Sequence, residues 1–221
     1  MSWDVTWGDS EQIKLPEFDV CWTSPPYELD PNRITQRLWK VATSDSLLWI
    51  MHPDLGRIYN GWDLLTRCTW CMTESEVDKS YHARQPLEVM HDIGLFRKRN
   101  QEHYWAPDYW MPNWIAGGDL PNPDAEYLTV PQEVIGECLG ASLPGEGKTF
   151  LDPFCGTGTS VLTAHEMGFR AVGVEINEET CKRWGASTSL ITRSPGARRR
   201  SRSKTRMAAS LDCATTRCSR I

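Results

Sequence analysis

The sequence lacks any long apolar run. No stretch approaches the roughly 20 residues that a membrane-spanning helix needs. The N-terminus also lacks the positively charged and then apolar segments of a secretory signal. These absences predict a cytoplasmic protein, in which the eight cysteines are expected to be reduced thiols rather than disulfides.

Two ligand-binding motifs are present only in part. Cys68 and Cys71 have the spacing of half a zinc site, but no second pair has a matching spacing, so we expect no metal. The segment Gly145-Glu146-Gly147-Lys148-Thr149 resembles the end of a phosphate-binding P-loop. That motif requires a glycine where this chain has Ser142, and a helix where a strand is predicted. Because this glycine and this helix are both missing, we exclude nucleoside triphosphate chemistry.

Basic residues are scarce outside the C-terminal tail. Of the 24 Lys and Arg residues, nine lie at Arg193 or later, beside one of the 29 acids, which leaves 15 basic residues against 28 acids before it. An acidic body disfavours a broad nucleic-acid surface. Residues 191–221 are rich in arginine and poor in large apolar residues, so we predict a basic disordered tail. The tail either contacts phosphates or is an inert extension.

Short apolar strands alternate with helical segments, and this pattern predicts an α/β fold in a chain whose 221 residues suit one domain. Strands are expected at 5–7, 19–22, 46–51, in part of 69–77, and at 91–96, 149–152 and 171–174. Helices are expected at Ile34–Ala42, Asn60–Cys68, Val130–Leu143 and Val161–Met167. Residues 100–127 show neither the apolar periodicity of a helix nor that of a strand. They carry prolines, glycines and an aromatic cluster, which favours a functional loop.

The segment Ser24-Pro25-Pro26-Tyr27 follows an apolar strand. Two successive prolines fix φ near about −65° and remove two backbone donors, so the turn is stiff. It presents a hydroxyl, free carbonyls and an aromatic ring. Such a turn can accept hydrogen bonds from an amino group while Tyr27 stacks on a flat ring.

A second segment, Asp152-Pro153-Phe154-Cys155-Gly156-Thr157-Gly158-Thr159, lies between a predicted strand and a predicted helix. Glycines at such a turn let a nucleoside approach the backbone, and an acid about 20 residues further on reaches ribose hydroxyls. Glu175 lies 19 positions after Gly156. Asp9, which follows the first strand, is either a further ligand-binding residue or a simple turn residue.

Together the two segments resemble the DNA amino-methyltransferases that use S-adenosylmethionine. The order, with Ser24–Tyr27 first and Asp152–Thr159 near the C-terminus, resembles the permuted beta class. The resemblance covers roughly residues 3–185. It implies a Rossmann-like, circularly permuted, mostly parallel seven-stranded sheet with an antiparallel last strand at 91–98.

The same resemblance divides the chain into a catalytic domain at residues 1–190, with a small recognition insert at 100–127, and the tail. It implies S-adenosylmethionine as cofactor, double-stranded DNA as partner and a prokaryotic or phage-type restriction–modification context. A cognate restriction endonuclease and a homodimer are open options.

The resemblance also implies roles for individual residues. The expected cofactor-binding residues are Asp9, Asp152, Phe154, Cys155, Gly156, Thr157, Gly158, Thr159 and Glu175. Asp9 is expected to line the adenine, Asp152 to contact the methionine amino group, and Phe154 to pack beside the cofactor. The catalytic residues are Ser24, Pro25, Pro26 and Tyr27.

The expected chemistry concerns an exocyclic amine, which is a poor nucleophile because its lone pair is delocalised into the base. Hydrogen bonds to the Ser24 hydroxyl and the Pro25 carbonyl restore that lone pair, and positioning supplies most of the acceleration. The base must leave the duplex to reach the site, and stacking on Tyr27 offsets part of the cost.

The sequence leaves several methyl acceptors open. A serine at position 24 is more typical of cytosine-N4 enzymes than of adenine-N6 enzymes, so cytosine N4 is the first expectation and adenine N6 the second. Methylation of RNA or of a protein glutamine is a third option. A catalytically inactive remnant that still binds nucleic acid is a fourth.

Overall fold

In the part of the chain that the structure describes, the predicted α/β fold is present as an eight-stranded mixed sheet with helices on both faces. The computed structural model describes residues 2–58, 60–71, 90–99, 114–116, 130–142 and 145–183. Its strands are β1 (Trp3–Trp7), β2 (Phe18–Thr23), β3 (Ala42–Met51), β4 (Trp62–Cys71), β5 (Met90–Lys98), β6 (Trp114–Ala116), β7 (Thr149–Asp152) and β8 (Arg170–Glu175). Its helices are α1 (Pro31–Trp39), α2 (Gln132–Gly140), α3 (Thr159–Glu166) and α4 (Glu178–Arg183), with a 3-10 turn at Leu55–Arg57.

The strands lie in the order β1-β8-β7-β2-β3-β5-β4-β6. Within the described sheet, β5 alone runs antiparallel to its neighbours, β3 and β4, and the other pairs are parallel. The antiparallel strand predicted at 91–98 is therefore confirmed, and β6 adds a short eighth strand to the predicted seven. Among the described strands, the last two along the chain, β7 and β8, lie between β1 and β2, as a circular permutation requires.

The central strand β3 shows how both faces of the sheet are buried. Leu47, Trp49 and Met51 belong to one apolar cluster, and Leu48 and Ile50 belong to the other, because successive side chains point to opposite faces. Residues of α2, α3 and α4 complete the first cluster, whereas α1 completes the second. The prediction of a strand buried on both faces is confirmed here.

Helix α1 begins earlier than the sequence pattern indicated. Asp30 is its N-cap, with a carboxylate that accepts a hydrogen bond from the backbone N–H two residues further on at 3.1 Å, and Pro31 follows in the first turn. The helix predicted at Ile34–Ala42 is therefore shifted towards the N-terminus, and Ala42 opens β3 instead.

The helix predicted at Asn60–Cys68 is wrong, because these residues enter β4. A register shift between Leu64 and Thr66 interrupts the alternation of buried and exposed side chains, which made the apolar spacing look helical. Trp62 and Trp70 are fully buried, and β4 pairs with strands on both sides. Pairing and tryptophan burial therefore outweigh the local helical spacing.

Several sequence predictions lie outside the described residues. These are the strand continuation at 72–77, the tail at 191–221, and the insert at 100–127 except for β6, which adds a short strand where no period was found. Among the described helices, none is both long and apolar enough to span a membrane.

Candidate active site

The two sequence motifs meet where the carboxyl ends of β2, β7 and β8 lie, at the end of the sheet that we call the ligand edge. β2 and β7 are parallel neighbours, with Val20 opposite Phe150. Their carboxyl ends therefore lie side by side, and the Ser24–Tyr27 turn and the Gly-rich turn after Asp152 begin there. On the far side of β7, Glu175 ends β8 at the same edge.

The Gly-rich turn, residues 153–158, is closed by backbone hydrogen bonds. The Cys155 N–H donates to the Val174 carbonyl at 3.0 Å, and the Gly158 N–H donates to the Cys155 carbonyl at 2.7 Å. Gly156 and Gly158 have φ values of 51° and 80°, in the left-handed region that favours glycine. Gly158 is the N-cap of α3.

The outer side of this turn is open around Gly156. A Cβ placed on Gly156 would meet no atom within 4 Å, and the neighbouring Thr157 is exposed. Phe154 is half-buried, and it lines a shallow depression with Ser10 and Leu15. The backbone at Gly156 is therefore open to the close approach of a ligand.

Gly173 on β8 allows the turn to pack this closely. A Cβ at Gly173 would lie 2.7 Å from both Cys155 Sγ and Val161 Cγ2, so Gly173→Ala must displace the turn. We expect the variant to unfold at a lower temperature and to alter the ligand edge. Gly136→Ala in α2 is a matched control, since its nearest contact, Thr163 Cγ2, is 3.9 Å away. Alanine there should stabilise the helix by about 0.5–1 kcal/mol. Equal melting temperatures for the Gly173 variant and the parent would contradict the packing argument.

Asp152 is the most strongly perturbed carboxyl group of this edge. It is 3% exposed, and its carboxylate accepts hydrogen bonds from the Phe154 N–H at 3.0 Å and from the Ser160 hydroxyl. Burial raises its pKa to about 6, while the hydrogen bonds from Ser160 and Phe154 act in the opposite direction. A buried carboxylate of this kind gains from a cationic partner.

Asp9 follows β1 and Glu175 ends the adjacent β8, and the carboxylate of each accepts hydrogen bonds from the residues that follow it. The Asp9 carboxylate accepts from the Glu11 N–H at 2.9 Å and the Gln12 side-chain amide at 2.7 Å. Glu175 accepts from the Asn177 N–H at 2.6 Å. The geometry therefore gives Asp9 a turn-forming role, and its expected ligand role stays a prediction.

Tyr27 lies against residues that the sequence analysis missed. Its hydroxyl is 3.1 Å from His91 Nδ1, and its ring meets the His52 ring edge-on at a centroid distance of 5.6 Å. His91 in turn stacks on Trp70 at 5.3 Å. His52 directly follows β3 and His91 lies near the start of the antiparallel β5, so both fall at the ligand edge. Strand direction was the signal that could have identified them.

The Ser24–Tyr27 turn combines buried and exposed groups. Pro25 is buried, Ser24 is half-buried, and Pro26 and Tyr27 are exposed, with 38% of Tyr27 accessible. Burial lowers the pKa of His52 below its usual range, although Asp54 acts against this, so its imidazole is neutral near pH 7. The exposed Tyr27 ring is thus in contact with an imidazole that is uncharged near pH 7.

The cysteines in the described residues are free thiols: Cys21, Cys68, Cys71, Cys138, Cys155 and Cys181. Burial raises the pKa of Cys155 well above its usual value, which makes its thiol unreactive at neutral pH. The part of the chain that the structure describes contains no group of three or more His, Cys, Asp or Glu side chains arranged to hold a metal. The expectation of no metal remains a prediction.

Curated relatives share part of the sequence. The type II methyltransferase M.SfiI of Streptomyces fimbriatus is 31% identical over 109 residues, which is 47% of this chain and 22% of that protein. M.SmaI of Serratia marcescens is 31% identical over 138 residues, 54% of this chain and 44% of that protein. The chain thus spans less than half the length of these relatives.

Solved structures share the fold. The M1.HpyAVI–SAM complex superimposes with a TM-score of 0.66 at 16% identity, covering 81% of this chain and 96% of that one. The cytosine-N4-specific PvuII DNA methyltransferase gives a TM-score of 0.62 at 13% identity, covering 81% and 84%. These likenesses confirm the methyltransferase fold.

A family model described as DNA methylase matches residues 66–186, more than half of the sequence. The match includes β5, the Gly-rich turn and Glu175, while Ser24–Tyr27 precedes it. The family resemblance inferred from the two motifs is thereby confirmed, and the chain belongs to the DNA methylase family.

Proposed function

We propose that the protein transfers a methyl group from S-adenosylmethionine to the exocyclic amine of a base flipped out of double-stranded DNA, with cytosine N4 as the target. The observation that carries the proposal is the adjacency of β2 and β7, which brings the Ser24–Tyr27 turn beside the Gly-rich turn. One turn suits a planar amine and the other suits a nucleoside, and group transfer requires the two ligands to be neighbours.

The residues of the Gly-rich edge fit S-adenosylmethionine. The buried Asp152 carboxylate suits the ammonium group of the methionine end, because a cation relieves the cost of its ionisation. Gly156 leaves open space for close approach to the backbone. Glu175 would accept hydrogen bonds from the ribose hydroxyls, and Phe154 would pack beside the adenine ring of the cofactor. The bound cofactor supplies a methyl group on a sulfonium centre.

The chain's own residues position the acceptor. The Ser24 hydroxyl and the Pro25 carbonyl accept hydrogen bonds from the amine and draw its lone pair out of conjugation. Tyr27 offers an exposed ring on which the extrahelical base stacks. Because the reaction is an in-line displacement, holding the amine and the methyl carbon in line supplies most of the rate acceleration.

Cofactor affinity should depend on pH through Asp152. The pKa of the free protein's carboxyl group is raised to about 6, and only the ionised form attracts an ammonium group. Between pH 5 and 6 we expect the affinity to rise about fivefold, and between pH 6 and 7 by about a further factor of two as the profile levels off. Calorimetry in buffers of different ionisation enthalpy measures the affinity and the proton release together.

The opposite pH dependence is expected for the stability of the free protein. The folded state binds the Asp152 proton more tightly than the unfolded chain, so stability falls as the pH rises from about 4 to about 6. Asp152→Asn should flatten the stability profile between about pH 4 and 6, and the affinity profile between about pH 5 and 7. A parent affinity that is constant over this range would contradict the assignment of Asp152 to the ammonium group.

The decisive test of the proposed function is the product. The purified protein is incubated with unmethylated bacterial genomic DNA and labelled S-adenosylmethionine, and the nucleosides are then analysed by mass spectrometry. N4-methylcytosine supports the proposal. N6-methyladenine would change the base and leave the mechanism intact, because Ser24 and Pro25 accept from either amine.

The same assay distinguishes DNA from RNA and protein as the methyl acceptor. Labelled methyl groups in RNA or in a protein glutamine, without any in DNA, would overturn the substrate class. Cofactor binding without transfer to any acceptor would indicate an inactive nucleic-acid-binding remnant. The serine at position 24 favours cytosine, and the partly exposed Tyr27 favours an active, base-stacking site.

A further inference from the structure

The Tyr27 ring is held from two sides before any base arrives. Its hydroxyl is joined by a hydrogen bond to His91 Nδ1 at 3.1 Å, and its ring meets the His52 ring edge-on, at 5.6 Å and 76°. Yet 38% of Tyr27 remains exposed. The phenol is therefore anchored at its hydroxyl and at one edge, while part of its surface is accessible to a ligand.

The anchor for the hydroxyl is itself rigid. His91 lies on β5 directly opposite Trp70 on β4, and the two rings stack at 5.3 Å with an angle of 29°. His91 is 5% exposed and Trp70 is fully buried. The imidazole has little freedom to rotate, so the position of Nδ1 is fixed by the sheet.

The second contact is also fixed. His52 is 1% exposed, and its Nδ1 accepts a hydrogen bond from the Asp54 N–H at 3.0 Å. The lowered pKa of His52 keeps this ring uncharged near pH 7. Tyr27 thus lies between two histidines that come from β5 and from the loop after β3.

We propose that His91, held by Trp70, is a positioning residue that fixes the Tyr27 ring as a preorganised platform for the flipped base. This inference rests on the proposed function. A tyrosine in a surface turn loses side-chain freedom when a base stacks on it, and that loss weakens binding. The hydrogen bond to His91 removes much of that freedom in advance, so it acts on capture of the base rather than on the cofactor or the chemical step.

The kinetic test compares His91→Ala, Tyr27→Phe and the double variant. Transfer of labelled methyl groups to unmethylated bacterial genomic DNA gives kcat and the KM for DNA. Each single variant should raise that KM about fivefold, with kcat and the affinity for S-adenosylmethionine within twofold of the parent. The double variant should be no worse than the single variants, because both remove the same hydrogen bond.

Two further variants separate positioning from general damage. His91→Asn keeps a polar group near the position of Nδ1 and should keep the KM within about twofold of the parent. His165→Ala is the matched control, since His165 lies in the last turn of α3, away from the ligand edge, and it should match the parent. A parent-like KM in His91→Ala, or losses that multiply in the double variant, would overturn the proposal.

A measurement without turnover tests the contact itself. In long-range proton–nitrogen NMR spectra of the full chain, Tyr27→Phe should shift the His91 Nδ1 resonance and leave the His165 resonances in place. An unmoved His91 resonance overturns the proposal whatever the activity. A parent protein that transfers no methyl group to DNA overturns the proposed function, and the platform with it, even if the NMR shift shows that the hydrogen bond exists.

Discussion

Replacing Gly156 with valine should lower the affinity for S-adenosylmethionine at least tenfold, which corresponds to about 1.4 kcal/mol. The φ of Gly156 is 51°, and a Cβ built there projects into space with no atom within 4 Å. That space is where we place the cofactor. The valine side chain would occupy it, and a β-branched residue also resists a positive φ.

Gly147→Val controls for the backbone strain. Gly147 has a φ of 73°, and its Cβ would likewise meet no atom within 4 Å, but it precedes β7 at the opposite end of that strand. Both variants should lose thermal stability, and only the Gly156 variant should lose affinity in calorimetry. If both variants lose a similar amount of affinity, backbone strain is the cause. If Gly156→Val binds S-adenosylmethionine as tightly as the parent, the cofactor lies elsewhere.

The sequence predicted the elements that carry local signals. Asp152–Thr159 combines a short apolar strand, glycines that adopt positive φ, and a following helix, so strand, turn and helix were each identifiable from neighbouring residues. The strand at 91–96 was predicted from its own residues, whereas its antiparallel direction was predicted through the family resemblance. Its place between β3 and β4 is a property of the whole sheet.

The error at β4 has a local cause. A strand that contains a bulge loses its period of two, and the apolar residues of 60–68 then fall at intervals close to those of a helix. These residues form a strand rather than a helix because β4 pairs with β5 and β6. Those partners lie tens of residues away, so no short window of the sequence contains the information.

The histidines beside Tyr27 were missed for a related reason. His91 is 64 positions from Tyr27, and single histidines carry no spacing signal. They meet because β3 and β5 are antiparallel neighbours, so the end of one lies beside the start of the other. For Asp9 the sequence left both a ligand-binding role and a turn-forming role open. Its hydrogen bonds to the following turn show the turn-forming role.

Ser24→Ala is expected to reduce kcat about 100-fold while the affinity for S-adenosylmethionine stays within twofold of the parent. Loss of one hydrogen-bonding group that acts on the reacting atoms costs on the order of 10²–10³ in rate. Ser24 directly follows β2 and is half-buried, so alanine fits the same backbone and leaves the Pro25 carbonyl as the remaining acceptor. Single-turnover methyl transfer to unmethylated bacterial genomic DNA separates the chemical step from product release.

Ser44→Ala is the matched control for this loss, because Ser44 is exposed near the start of β3, at the opposite edge of the sheet from the carboxyl ends. It should transfer methyl groups at the parent rate. The contrast with Tyr27 sharpens the assignment: the Ser24 hydroxyl acts on the amine and should change kcat, whereas the Tyr27 platform acts on base capture and should change the KM for DNA. If Ser24→Ala changes only that KM, then the hydroxyl helps to hold the base, and activation of the amine falls to the Pro25 carbonyl alone.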